Sequence, residues 1–73
     1  MYTFTFTYQD GSTNYFNNIN EVQYVRTDTI IVSGDDIHKH LFPTGIDLHL
    51  FSDDLNVTVN GKKLLYIEVE KED

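Results

Sequence analysis

The 73-residue chain contains no cysteine, no tryptophan and no alanine, and it sets 5 basic residues against 12 acidic ones. Each shortage removes something. Without cysteine there is no disulfide, no thiol nucleophile, no thiolate-bound zinc and no thiol redox switch, which fits a reducing compartment. Alanine is the best helix former, and its absence beside 20 β-branched residues (6 Val, 6 Ile, 8 Thr) argues against a helical bundle. The basic shortage leaves a formal charge of −7. Such a chain repels phosphate backbones and anionic membranes, so direct nucleic-acid binding and membrane binding are not expected.

Long apolar runs are missing too. No stretch approaches the roughly 18 apolar residues of a membrane span, and Met1–Thr7 has no basic region leading into an apolar one. A cytoplasmic protein is expected. Asn56-Val57-Thr58 matches a glycosylation sequon by spacing, but without an export signal it reads as strand. About 70 residues bury only about 60% of their unfolded surface, so one domain is expected over residues 1–70, with 71–73 a charged tail. Packing or self-association must supply the remaining stability.

What is present is alternation. Tyr2, Phe4, Phe6 and Tyr8 alternate with Thr3, Thr5 and Thr7, a strand signal of period two. Gln9-Asp10-Gly11-Ser12 reads as a turn, and Thr13–Phe16 as a short returning strand. A second turn is expected at Asn17–Asn20, followed by a strand with Val22 and Tyr24 on one face. Arg26-Thr27-Asp28 reverses the chain into Ile30-Ile31-Val32, apolar on both faces and therefore expected at the centre of a sheet. Asp35 or Asp36 is placed to cap one helical turn near residues 36–41, with strand or loop as the alternatives for this segment. Alternation resumes with Ile46, Leu48 and Leu50, turns at Ser52–Asp54 and continues with Leu55, Val57 and Val59. Asn60-Gly61 carries the signature of a two-residue hairpin into a last strand, with Leu65, Ile67 and Val69 on its inner face.

Residues 8–18 also lie on residues 51–61 with aromatic, acidic turn, short strand and asparagine in step, and Val22 and Tyr24 then fall on Leu65 and Ile67. Common hairpin chemistry accounts for such an echo as well as duplication does. The expected fold is all-β, with about seven short antiparallel strands in a meander that forms a small barrel or two packed sheets.

Candidate chemistry is sparse. His38, His40 and His49, with nearby aspartates, are the types a zinc or nickel site uses, but a helical turn would splay His38 from His40 by about 200°. Ser12, Ser33 and Ser52 sit in turns, the four glycines stand apart, and the Asp53–Val57 run lacks the spacing of a calcium loop. No catalytic residue and no cofactor are expected. Surfaces say more. Ten aromatic residues are too many for a core this small, and Tyr15, Tyr24, Phe42, Phe51 and Tyr66 are expected to be partly exposed for docking. Asp35, Asp36, Asp53, Asp54, Glu68, Glu70 and Glu72 are the candidates for an acidic surface.

Two kinds of function follow. One is a small acidic non-enzymatic interaction or assembly domain that binds a protein partner or its own twin, with a homodimer expected because one core is thin. The alternative is an acidic inhibitor that imitates nucleic acid on a basic protein groove, with a His/Asp metal-binding protein behind it. Short strands and an acidic C-terminus give the chain the general style of small bacterial or phage-encoded proteins, and no motif ties it to a family.

Overall fold

The computed structural model describes residues 1–72 and shows seven strands in two antiparallel sheets packed face to face, with no closed barrel. The strands are β1 (Tyr2–Tyr8), β2 (Thr13–Ile19), β3 (Glu21–Val25), β4 (Thr29–Ser33), β5 (Leu48–Phe51), β6 (Asn56–Val59) and β7 (Leu64–Lys71). One helical turn, α1 (Asp36–Lys39), follows β4, and a 3-10 turn at Gly61–Lys63 precedes β7. One sheet has the order β2-β1-β7 and the other β4-β3-β5-β6.

Period-two alternation decides which residues meet between the sheets. Tyr2, Phe4 and Phe6 of β1 face Val22 and Tyr24 of β3 and Leu48 and Leu50 of β5 in a single core, which Ile19, Val32, Val59 and Leu64 complete. Ile37 of α1 is fully buried beneath the joint between the sheets, because α1 packs against both β4 and β7.

The chain changes sheet twice, at places where hairpins were expected. Between Tyr2↔Ile19 and Phe4↔Phe16, β2 carries one residue more than β1, a bulge in which Asn18 takes φ 62°. Asparagine tolerates that conformation, and the bent strand runs on through Asn20 into the other sheet. At the second crossing Asn60 has φ −72° and its side chain accepts a hydrogen bond from the Lys62 amide, so Asn60-Gly61 starts a 3-10 turn and not a hairpin. A second bulge, at Leu65, puts Leu64 in the core and leaves Leu65 58% exposed, opposite to the expected phase.

Three further expectations are corrected. β4 is an edge strand, not a central one. Asp35 occupies the N-cap position of α1 without a capping bond, because its carboxylate instead accepts from the Tyr2 hydroxyl at 3.2 Å. The charged tail is largely structured: Lys71 belongs to β7, the Glu72 amide donates to the Met1 carbonyl, and Glu72 Oε2 accepts from the Asn18 amide at 2.7 Å. Asp73 lies outside the described residues.

The echo between residues 8–18 and 51–61 has a counterpart in the topology. β1 and β2 form a hairpin whose continuation, β3, crosses to pair with β5; β5 and β6 form a hairpin whose continuation, β7, crosses to pair with β1. The order β2-β1-β7 thus repeats as β6-β5-β3, and β4 with α1 is the piece without an equivalent.

Candidate functional site

Four strands have a free edge: β2 and β7 in one sheet, β4 and β6 in the other. A free edge offers unpaired amides and carbonyls to any other strand, and folds usually blunt it with charge, proline, a bulge or brevity. β7 carries Glu68, Glu70 and Lys71, β2 carries the Asn17-Asn18 bulge, and β6 is only 4 residues long. β4, Thr-Ile-Ile-Val-Ser, has no charge, proline or bulge, although α1 packs against it.

Its side chains make the edge sticky as well as open. Ile31 is 59% exposed on the outer face, with Val25 of β3 57% exposed on the same face. Ile30 and Val32 point inward, and beside them β4 and α1 enclose a groove of about 350 Å³ lined by Ile30, Ile31, Val32, Asp36, Lys39 and His40. The groove exists because Gly34 (φ 60°) lets the chain leave β4 sharply, and the Ile37 amide then donates to the Gly34 carbonyl at 3.2 Å to start α1. Glycine supplies this left-handed turn at little cost.

The five candidate docking aromatics are not brought together. Tyr15 (64% exposed) and Tyr66 (47%) lie on the outer face of the three-stranded sheet among Thr3, Thr5, Thr7 and Glu68. Tyr24 is only 3% exposed, a correction: its ring is core, and its hydroxyl meets His40 Nε2 at 2.5 Å. Phe42 is half-buried with its ring edge-on to Phe4 at 5.2 Å, and Phe51 is half-buried on the opposite outer face, in the row Ser33, Glu21, Phe51, Asn56.

The acidic candidates do converge. The Asn20 side chain donates to Asp53 Oδ1 at 3.0 Å, the Gly34 amide donates to the Asn20 carbonyl, and Met1, Asn18, Ser52, Asp53 and Asp54 line one shallow cleft of about 330 Å³. With Asp35 on Tyr2 and Glu72 on Asn18, this brings Asp35, Asp36, Asp53, Asp54 and Glu72 to one end of the sandwich, beside Glu21. Glu68 and Glu70 alternate along the outer face of β7, but Glu72 turns away from that row toward the β2 bulge. The opposite end mixes Asp10, Asp28 and Asp47 with Arg26, Lys62 and Lys63, so the charge is polarised along the strands.

The histidines are dispersed. His38 stacks on Tyr2 at 5.9 Å between ring centroids, His40 bonds Tyr24, and His49 Nδ1 lies 2.8 Å from Thr58 Oγ1 on an outer face. Among the described residues no three His, Cys, Asp or Glu side chains gather as a metal site would require. Two acidic groups are shifted. Burial, then the hydrogen bond and the charge of Asp35, push the Tyr2 phenol above its ordinary value; the Ser12 hydroxyl and amide hold the Asp10 carboxyl below its own.

Ile31 is the residue that the sequence reading left out of the candidate sites. Its signal was visible as a strand apolar on both faces with no charge. No protein-family model, curated protein or solved structure matches the chain.

Proposed function

We propose that the protein is a small acidic non-enzymatic interaction or assembly domain, and that β4 is where it docks. The carrying observation is the β4 edge itself, five residues without charge, bulge or proline, with Ile31 exposed and a groove alongside that is lined by Ile30, Ile31 and Val32 on one side and Asp36, Lys39 and His40 on the other. An added strand satisfies the edge amides and carbonyls and covers Ile31 at once, the mode of β-strand addition. Affinity capture with the wild-type chain, Ile31→Lys and Tyr15→Lys tests this reading. Bound protein should be retained by the wild type and by Y15K, and lost with I31K. Equal recovery on all three contradicts docking at β4.

The gathering of Asp35, Asp36, Asp53, Asp54 and Glu72 at one end supports a second reading, an inhibitor whose carboxylates occupy a basic protein groove in place of nucleic acid. Binding of this kind is screened by salt, whereas strand addition is not strongly so. Loss of a captured nucleic-acid enzyme between low and high salt, together with its indifference to I31K, selects the second reading.

A further inference from the structure

The β4 edge is complementary to itself, and we propose that its occupant is a second copy of the chain, joined β4 to β4 in antiparallel register about Ile31. This rests on the reading of β4 as a docking edge. Facing residues in an antiparallel pair share a face, so a symmetric pairing must centre on one residue. Centred on Ile31, it sets Ile31 beside the second copy's Ile31, Ile30 beside Val32, and Thr29 beside Ser33. Apolar residues meet apolar ones, hydroxyls meet hydroxyls, and no charges are opposed. The two four-stranded sheets become one sheet of eight, and the outward Ile31 side chains of the two copies cover each other.

Charge decides for this occupant over others. A chain of −7 pairs with itself only where its acids are kept apart or answered. Self-pairing of β7 about Glu68 or Val69 sets glutamates against each other, whereas β4 carries no charge over its length. Antiparallel pairing also lays the end of the sheet that carries Arg26 in one copy beside the end that carries Asp35 and Asp36 in the other, and by symmetry this happens twice. The closed twofold explains why an open edge need not lead to unlimited strand addition: each copy's β4 is consumed in the pairing, while β7 with its glutamates and β2 with its bulge stay outside.

The cysteine-free chain makes the test clean. Paired residues in antiparallel strands have Cα atoms about 4.5–5.5 Å apart, within the span of a disulfide. Three single variants, Ile31→Cys, Thr29→Cys and Ser33→Cys, are oxidised with oxidised glutathione, with the equally exposed Tyr15→Cys as the collision control and circular dichroism as the check on folding. I31C should form a covalent dimer about tenfold or more faster than Y15C, and a mixture of T29C and S33C should crosslink faster than either alone. A folded I31C that crosslinks no faster than Y15C, with no preference in the T29C and S33C mixture, overturns β4 self-pairing. In that event a partner lost specifically with I31K still upholds the docking edge, so the two failures are told apart.

Discussion

Gly61 has no room for a side chain, because a β-carbon there would overlap the backbone carbonyl of Ile46. The contact is where the chain crosses from β6 to β7: the Gly45 amide donates to the Gly61 carbonyl at 2.9 Å, and Asp47 accepts from the Gly61 amide at 3.3 Å. The neighbour is backbone and has no rotamer through which to yield. Gly61→Ala should therefore cost about 3 kcal/mol or more, at or above the upper end of ordinary overpacking. Gly11→Ala, with open space but φ 89°, should cost about 1 kcal/mol. Urea denaturation of the two variants checks the order.

Leu41 and Phe42 are adjacent and opposite in consequence. Leu41 is 91% exposed, whereas Phe42 places its ring edge-on to both Phe4 and Tyr24. Phe42→Ala should destabilise the fold by about 2–3 kcal/mol, reduced from a fully buried phenylalanine because the ring is half-buried. Leu41→Ala should stay within about 0.5 kcal/mol. Thermal melts of both variants are the measurement.

Acid and alkali act through different residues. Tyr2 has a raised pKa, so its neutral form contributes stability that is full below the unfolded value of 10.0 and is lost as pH rises through the folded value. Asp10 has a lowered pKa, so its contribution is present above the unfolded value of 3.8 and is lost as pH falls through the folded value. Tyr2→Phe should flatten the alkaline limb of the stability profile and Asp10→Asn the acid limb. Denaturant midpoints measured across pH separate the two.

The bulge in β2 depends on Asn18 at φ 62°. Asn18→Gly should be neutral within a few tenths of a kcal/mol, and Asn18→Ala should lose about 1 kcal/mol, because a β-carbon is crowded in the left-handed region. Chemical denaturation distinguishes them readily.

Faces were legible in the sequence and neighbours were not. Alternation placed Tyr2, Phe4, Phe6, Leu48 and Leu50 inside, because burial follows a period that one strand carries alone. Turns at 9–12, 26–28 and 52–54 were readable for the same local reason. The two crossings were not, since Asn17–Asn20 and Asn60-Gly61 carry turn chemistry whether the chain folds back or changes sheet. Gly61 is glycine for close approach to Ile46, which is 15 residues away and invisible to a local reading. Ile30-Ile31-Val32 was read as central because it is apolar on both faces. The structure makes it an edge strand, because its second apolar face, at Ile31, is left exposed. Among the sites, the acid pairs 35–36 and 53–54 were named separately, and only the topology brings them to one end.

The molar mass in solution, followed by light scattering across a concentration series, tests the central claim most directly. The wild-type chain of 8.5 kDa should approach twice that mass as concentration rises, and Ile31→Lys should stay at 8.5 kDa while keeping its fold. A wild-type chain that stays at 8.5 kDa up to high concentration, or an I31K variant that dimerises as the wild type does, contradicts it.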